Sequence, residues 1–116
     1  IGNSEPQLLM WNLQRNVVLN KLPQRNLIIE INFSLEKKYP NWWIIFKPPS
    51  SIDLGHIDLG QDADVVINSS VEALTKLHMG FNNFETLIEV NEIEVLGADD
   101  IITSIPDWLG TTHFSV

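Results

Sequence analysis

Closely spaced aspartates are the feature of this sequence that most resembles a site for chemistry. Asp58, Asp62 and Asp64 lie on one short polar stretch, and carboxylates at alternating loop positions are typical ligands of Ca²⁺. A calcium-binding loop that begins at Asp58 would need glycine at its sixth position and glutamate at its twelfth. Ala63 and Ser69 occupy those positions. We therefore interpret the aspartates as a turn and a solvated strand edge, and we predict no metal site.

Histidine and aspartate residues also offer groups for proton transfer. His56 is near Asp53 and Asp58 in sequence. His113 is near Asp107. Proximity in sequence does not establish the hydrogen-bond geometry that general acid–base catalysis needs. The sequence also has no cysteine, no serine in a nucleophile elbow and no phosphate-binding glycine loop. We therefore predict a protein that is not an enzyme and that uses no cofactor.

The charge distribution argues against direct binding of nucleic acid. The chain has a formal net charge of −8. Residues 1–48 carry six basic and three acidic side chains, whereas residues 49–116 carry one basic and twelve acidic side chains. An acidic surface repels the phosphate backbone of DNA or RNA. We expect any contact with DNA to be made by another domain.

Length and hydrophobicity are typical of one globular domain. The sequence has 116 residues and is 44% hydrophobic, which is enough for one core. No run approaches the ~18 apolar residues of a membrane-spanning helix, and the N-terminus lacks the pattern of a signal peptide. We predict a single domain over residues 1–116, located in the cytoplasm. Because the sequence begins with Ile1 rather than Met, we expect it to be part of a longer polypeptide.

Hydrophobic periodicity predicts a helix and a strand at the start of the chain. Ser4 is suited to cap a helix whose apolar residues recur at helical spacing and which ends near Val17. Apolar and polar residues then alternate over residues 27–33, which is typical of a half-buried strand. The first helix and the first strand therefore each have one face directed to the core.

Three further strands are predicted in the middle of the chain. Residues 42–47 are almost continuously apolar, which favours a central strand covered on both faces. Trp42 and Trp43 must lie on opposite sides of that strand. The next strand contains Gly55, where we expect a bulge or bend, and residues 63–68 alternate as a fourth strand.

The last part of the chain is predicted to contain three helices and one strand. Ser69 and Glu72 form a capping box for the first of these helices. Asn83 and Asp99 are placed to cap the other two. The predicted helices cover residues 69–79, 84–90 and 99–108, and the strand covers residues 92–96. This order predicts an α+β fold, with helices packed on one face of a single-layer, mainly antiparallel five-stranded sheet.

Short motifs along the chain share one family likeness. The likeness lies in the acidic turn before the fourth strand, in the turn residues after the later elements and in the C-terminal Pro-Asp-Trp-Leu-Gly. The residues are Asp58, Gly60, Asp62, Asp64, Gly80, Asn91, Gly97 and residues 106–110. The helix over residues 9–15 fits the same pattern. Together they resemble the sterol-carrier-protein-type (SCP2-like) domain at the C-terminus of HxlR-type winged-helix transcriptional regulators. Leu59 and Ala63 depart from the family pattern.

The resemblance implies a non-catalytic module that binds or senses an apolar small molecule or lipid. It implies a cavity between the sheet and the helices, lined mainly by large apolar side chains. Such residues either line the cavity or simply form the core of a domain this small. The candidate ligand-binding residues are Phe33, Trp43, Ile45, Leu74, Leu77, His78, Phe81, Phe84, Leu87, Ile88, Ile105 and Trp108. His78 stands where relatives usually have a bulky aromatic residue, and it is suited either to bind a ligand head group or to lie at a helix end.

The sequence is consistent with three hypotheses about the function of this domain. In the first, it senses a ligand for an attached winged-helix domain, through which alone it would act on DNA. In the second, the same apolar surface forms a homodimer and binds no small molecule. In the third, the protein is a free-standing lipid carrier. We also expect residues 110–116 to fold back and close one end of the apolar site, with Gly110 permitting the turn that brings Phe114 against the body of the domain.

Overall fold

A five-stranded sheet forms one layer of the structure, and helices form the other. The computed structural model describes residues 5–47 and 51–109. In this part of the chain the helices are α1 (Glu5–Arg15), α2 (Val71–His78), α3 (Phe84–Glu89) and α4 (Asp99–Trp108), with a 3₁₀ turn at Leu19–Lys21. The strands are β1 (Leu27–Phe33), β2 (Asn41–Lys47), β3 (Ser51–Gly55), β4 (Val65–Ser69) and β5 (Ile93–Gly97). No helix in the described ranges is long and apolar enough to cross a membrane.

The strands are arranged in the order β3-β2-β1-β4-β5. Strand β1 pairs in parallel with β4, while the other three pairings are antiparallel. The predicted α+β class, with a mainly antiparallel sheet, is therefore confirmed. Because β4 lies beyond β1, the connection over residues 56–64 has to carry the chain from the β3 edge past β2 and β1. We call this connection the crossing loop.

One face of the sheet carries the core. Alternate residues of the three inner strands, such as Ile31, Ile44 and Ile67, are buried beneath the helices. We call this the helix-covered face, and the opposite side of the sheet the open face. The Phe46 ring meets the Trp108 ring of α4 edge to face at a centroid distance of 5.1 Å. Burial of side chains of this size contributes about 1.5–3 kcal/mol each.

The ends of the helices differ in detail from the sequence prediction. The cap of α2 is Ser70, whose Oγ accepts a hydrogen bond from the Ala73 amide at 3.0 Å. The predicted cap, Ser69, is wrong because β4 extends through it and pairs it with both neighbouring strands. The predicted cap Asp99 is also wrong. It lies inside the first turn of α4, and Ala98 precedes it without a side-chain cap.

Several turn predictions are confirmed. Asn83 caps α3 by accepting a hydrogen bond from the Thr86 amide at 2.8 Å. Gly80 and Asn91 have φ values of 78° and 62°, which place both residues in the left-handed region. The bend predicted at Gly55 is wrong, because this residue stays in register opposite Trp43. Strand β2 is an interior strand, as predicted, with β1 on one side and β3 on the other.

Candidate functional site

Most of the predicted ligand-binding residues form the packed core. They fill the layer between the helix-covered face and the helices, where each of the following is buried: Phe33, Leu74, Leu77, His78, Phe84, Leu87, Ile105 and Trp108. Ile88 is partly buried against the same cluster. Phe81 is instead 69% exposed beyond the end of α2. The structure therefore brings these residues together, apart from Phe81, as tightly packed side chains.

Trp43 and Ile45 lie on the other side of the sheet from this core. Their placement beside the other predicted residues is wrong, because β2 directs Trp42, Ile44 and Phe46 toward the helices. Side chains alternate along a strand, so the two intervening residues must point to the open face. They are partly buried there although none of the helices within residues 5–47 and 51–109 lies on that face. Their cover comes from the crossing loop.

A pocket of about 320 Å³ lies between the open face and the crossing loop. Its floor is apolar, and Ile28 of β1 is directly opposite Ile45 of β2. Its rim is polar and charged. The lining residues are Asn26, Ile28, Trp43, Ile45, Lys47, Asp53, Leu54, Gly55, Ile57, Asp58, Leu59 and Gln61. We call it the open-face pocket.

Gly55 leaves room in the open-face pocket because glycine has no side chain. Gly55 is the cross-strand partner of Trp43. A Cβ atom added at Gly55 would meet no heavy atom within 4 Å. The pocket therefore has room for a side chain at Gly55, and the partly buried Trp43 lines the same pocket.

The crossing loop is anchored at both ends. At its start, the His56 ring lies 4.6 Å from the Tyr39 ring and 5.7 Å from the Trp42 ring, measured between centroids. At its end, the Asp64 carboxylate accepts hydrogen bonds from the Ile28 amide at 2.8 Å and from Arg25 at 3.0 Å. These contacts hold the loop across the sheet.

The middle of the crossing loop presents apolar side chains that are mostly exposed. Ile57 is 66% exposed and Leu59 is 72% exposed, although both line the pocket. Between them, Asp58 accepts a hydrogen bond from the Gly60 amide at 2.8 Å. This turn agrees with the interpretation of Asp58 as a turn residue. The two apolar side chains are placed to close over an occupant of the pocket.

A row of polar side chains bounds the apolar part of the open face. Asn41 donates to Asn32 at 2.6 Å, Asn32 donates to Asn68 at 3.0 Å, and Asn68 donates to Glu94 at 2.8 Å. Asn32 also donates to Glu30 at 2.9 Å. The row spans four strands and limits the apolar surface to the other end of the sheet. Sequence reasoning missed it, although asparagines at alternating strand positions were a signal.

His78 lies in a groove of about 500 Å³ between α1 and α2, which Phe81 also lines. Burial lowers the pKa of His78 below its ordinary value of 6.5. The imidazole is therefore neutral at neutral pH. His78 is far from the open-face pocket in the fold, because α2 lies on the other side of the sheet.

Acidification is expected to destabilise the protein through His78. Since the pKa of His78 is lowered in the folded state, the unfolded chain binds more protons once the pH falls below about 6.5. The free energy of unfolding should decrease from that pH downward until the folded-state pKa is passed. Urea denaturation between about pH 7.5 and 5.5 should show a smaller decrease for His78→Phe than for the parent. Equal decreases would contradict this role for His78.

The groups suggested for catalysis or metal binding are not assembled into a site by the described residues. Asp64 is an anchor of the crossing loop and pairs with Arg25. Within residues 5–47 and 51–109, no group of three or more histidine, aspartate or glutamate side chains is placed to hold a metal ion. His113 and the predicted fold-back of residues 110–116 lie outside the described residues.

Comparison with known proteins identifies the fold. No protein-family model matches the chain, and no curated protein matches it significantly. The structure of the UbiJ-SCP2 ubiquinone synthesis protein matches 90% of this chain and 91% of that chain, with a TM-score of 0.63 and 14% identity. Sterol carrier protein 2 like 2 from Aedes aegypti matches 89% of this chain and 94% of that chain, with a TM-score of 0.63 and 12% identity.

An enzyme also contains a region with this fold. The sec-alkylsulfatase Pisa1 from Pseudomonas sp. matches 89% of this chain, with a TM-score of 0.64 and 14% identity, but the match covers 16% of that enzyme. The chain thus has the fold of sterol carrier protein 2. The sterol-carrier part of the sequence resemblance is confirmed as a fold. The HxlR-type regulator part gains no support from these comparisons.

Proposed function

We propose that this protein is a non-catalytic binding module for an elongated apolar molecule. We place the binding site in the open-face pocket. The observation that carries the proposal is a pocket lined by the partly buried indole of Trp43 on an apolar sheet surface, beneath a loop that presents exposed Ile57 and Leu59. The solvent-facing side of an antiparallel sheet is commonly polar, whereas this part of the open face is apolar.

Burial of apolar surface supplies the driving force for binding. Each Å² of apolar surface removed from water contributes about 25 cal/mol. Ile57 and Leu59 are largely exposed, so an occupant that contacts them would bury apolar surface on the loop as well as on the sheet. Ligand pockets in proteins are commonly about 300–1,000 Å³ in volume. The open-face pocket, at about 320 Å³, suits a small ligand or one arm of a larger one.

The fold supports the same class of ligand by analogy. Two matched structures are described as a sterol carrier protein or a related domain, and carriers of this kind bind apolar molecules. Fold alone does not fix the position of a site. The sequence resemblance favoured the layer between the sheet and the helices, where Leu87, Ile105 and Trp108 are buried in the core. The open-face pocket needs no displacement of the core.

Filling the open-face pocket is expected to abolish binding without unfolding the protein. Gly55→Phe places a ring in the empty space beside Trp43. We expect the affinity for an uncharged octyl glycol ether, measured by calorimetry, to fall about tenfold or more, since a tenfold loss corresponds to about 1.4 kcal/mol. Stability should change by less than about 1 kcal/mol, because an aromatic cross-strand pair is favourable in a sheet.

Ser51→Phe is the matched control for this experiment. Ser51 lies on the same strand and the same face as Gly55, but it pairs with Lys47 at the far end of β3. It is exposed and does not line the open-face pocket. Its substitution should leave binding unchanged. Equal affinities for the parent and Gly55→Phe would place the ligand elsewhere and overturn the proposed site.

The biological setting that we favour is a ligand-sensing module of a transcriptional regulator. This part of the proposal rests on the sequence motifs, including the Asp58 turn and the Pro-Asp-Trp-Leu-Gly ending. A ligand that closes the crossing loop would act on an attached domain only if it binds two arrangements of the protein with different affinities. The test is whether an apolar ligand changes the DNA affinity of the natural polypeptide that contains this chain. A carrier would show no such change.

A homodimerisation module is a second candidate, favoured by exposed apolar residues on the helices. Leu8, Trp11 and Phe81 are all exposed, and Leu8 and Phe81 line the groove between α1 and α2. A second copy that packs against this surface would bury them. Native mass spectrometry tests this candidate directly. A dimer that Phe81→Ser converts to a monomer would support it, whereas a monomeric parent would exclude it.

A further inference from the structure

The charges around the open-face pocket point to the chemistry of its ligand. Its rim contains two carboxylates, Asp53 and Asp58, and one cation, Lys47. Lys47 is already paired with Asp53, with 3.1 Å between Nζ and Oδ2. Both side chains of this pair are largely exposed, so the pair is weak and open to competition. The rim is therefore net acidic.

Acidic residues are also neighbours of Trp43 within the sheet. Glu30 of β1 is directly opposite Trp43, and Gly55 is directly opposite on the other side. Asp53, two residues before Gly55, is a diagonal neighbour of Trp43 on the same face. The nearby cation Arg25 is paired with Asp64 at 3.0 Å. Trp43 thus has an acidic residue as its cross-strand partner on β1, Glu30, and another as a diagonal neighbour on β3, Asp53.

An aromatic face beside carboxylates is an arrangement that attracts cations. The ring quadrupole of tryptophan stabilises an ammonium group placed over its face, and the contribution grows as the cation is desolvated. Carboxylates at the rim add a longer-range attraction that ions in solution screen. An anionic head group would instead meet Asp53 and Asp58 at the rim, which repel it.

We propose that the open-face pocket is selective for amphiphilic cations. The apolar chain of such a ligand lies on Ile28 and Ile45, and its ammonium group lies at the rim, between the Trp43 ring and the carboxylates of Asp53 and Asp58. This inference rests on the proposed function, because it specifies the ligand of the same pocket. It separates the protein from a carrier of fatty acids, whose head groups are anionic.

Three probes with the same apolar chain and different head groups test the proposal. Octyltrimethylammonium, an uncharged octyl glycol ether and octyl sulfate are titrated into the protein below their micellar concentrations. We expect the cation to bind about five- to tenfold more tightly than the uncharged probe, and the sulfate to bind most weakly. The difference between the cation and the sulfate should shrink as the ionic strength rises.

Variants of the rim residues provide the second part of the test. The readout is the ratio of the dissociation constants of the uncharged and the cationic probe. Asp53→Asn combined with Asp58→Asn should bring the cationic and uncharged probes close to equal affinity. Lys47→Met should increase the preference for the cation, because it releases Asp53 from its ion pair. The control combines Glu85→Gln with Glu89→Gln on α3, which removes the same charge from exposed positions outside the pocket.

The outcomes separate this inference from the proposed function. Equal affinity for all three probes, or tightest binding of the sulfate, would overturn the cation preference while the apolar pocket stands. If the α3 control loses as much of the preference for the cationic probe as the rim variant does, the preference arises from net charge. That result would also overturn the inference. Binding of none of the probes would overturn the proposed function together with the inference.

Discussion

Trp108→Ala is expected to lower the free energy of unfolding by about 3–5 kcal/mol, as truncation of a large core aromatic does. Trp108 is 1% exposed and meets the Phe46 ring edge to face at 5.1 Å. Its indole Nε1 donates a hydrogen bond to Ser104 Oγ at 3.0 Å. The variant would leave a cavity between α4 and the sheet that the neighbouring side chains fill incompletely. A loss of this size would unfold a marginally stable domain.

Trp11→Ala is the matched control for that substitution. Trp11 lies on α1 and is 50% exposed, so its truncation should change the stability by no more than about 1 kcal/mol. Chemical denaturation followed by circular dichroism measures both variants. Similar losses in the two variants would contradict the assignment of Trp108 to the packed core.

Gly97→Ala is expected to destabilise the protein by about 2–5 kcal/mol, from backbone strain and steric overlap together. Gly97 has a φ of 153°, which side-chain-bearing residues rarely adopt. A Cβ atom at this position would lie 2.6 Å from the Asp64 carbonyl oxygen. Because that oxygen belongs to the backbone at the start of β4, it has little freedom to move. The substitution would therefore disturb the pairing of β5 with β4 at Val65.

Gly55→Ala is the control for Gly97→Ala. Both glycines end edge strands, but a Cβ atom at Gly55 meets nothing within 4 Å. The midpoints of thermal and urea unfolding of Gly55→Ala should stay close to those of the parent. If Gly97→Ala were tolerated equally well, the close approach of β5 to the Asp64 backbone would be contradicted. The anchoring of the crossing loop would then need another explanation.

Sequence periodicity predicts most of the elements because each has one face in the core. Residues 27–33 alternate strictly between buried and partly buried, which is the pattern that the sequence shows. The parallel pairing of β1 with β4 could not be predicted in this way. It depends on where the crossing loop carries the chain, and loops of similar composition also join antiparallel neighbours. The caps of α2 and α4, Ser70 and Ala98, each differ from the prediction by one residue. For α2 the reason is that strand pairing overrides the local capping preference of Ser69.

The candidate site was less predictable than the fold. Alternation requires Trp42 and Trp43 to lie on opposite faces, but both faces of β2 are apolar. Local sequence therefore does not decide which face the helices cover. That choice depends on the fit of Phe46 against Trp108, which is a contact between residues distant in sequence. The empty space at Gly55 likewise follows from register, which the sequence of one strand does not contain.

Fluorine NMR of the protein labelled with 5-fluorotryptophan tests the central claim most directly. The chain has four tryptophans, and single Trp→Phe variants assign their resonances. Trp43 reports on the open-face pocket, and the buried Trp108 reports on the layer between the sheet and the helices. We predict that titration with octyltrimethylammonium shifts the Trp43 resonance and leaves that of Trp108 unchanged. A shift of Trp108 with no shift of Trp43 would place the ligand beneath the helices and contradict the account.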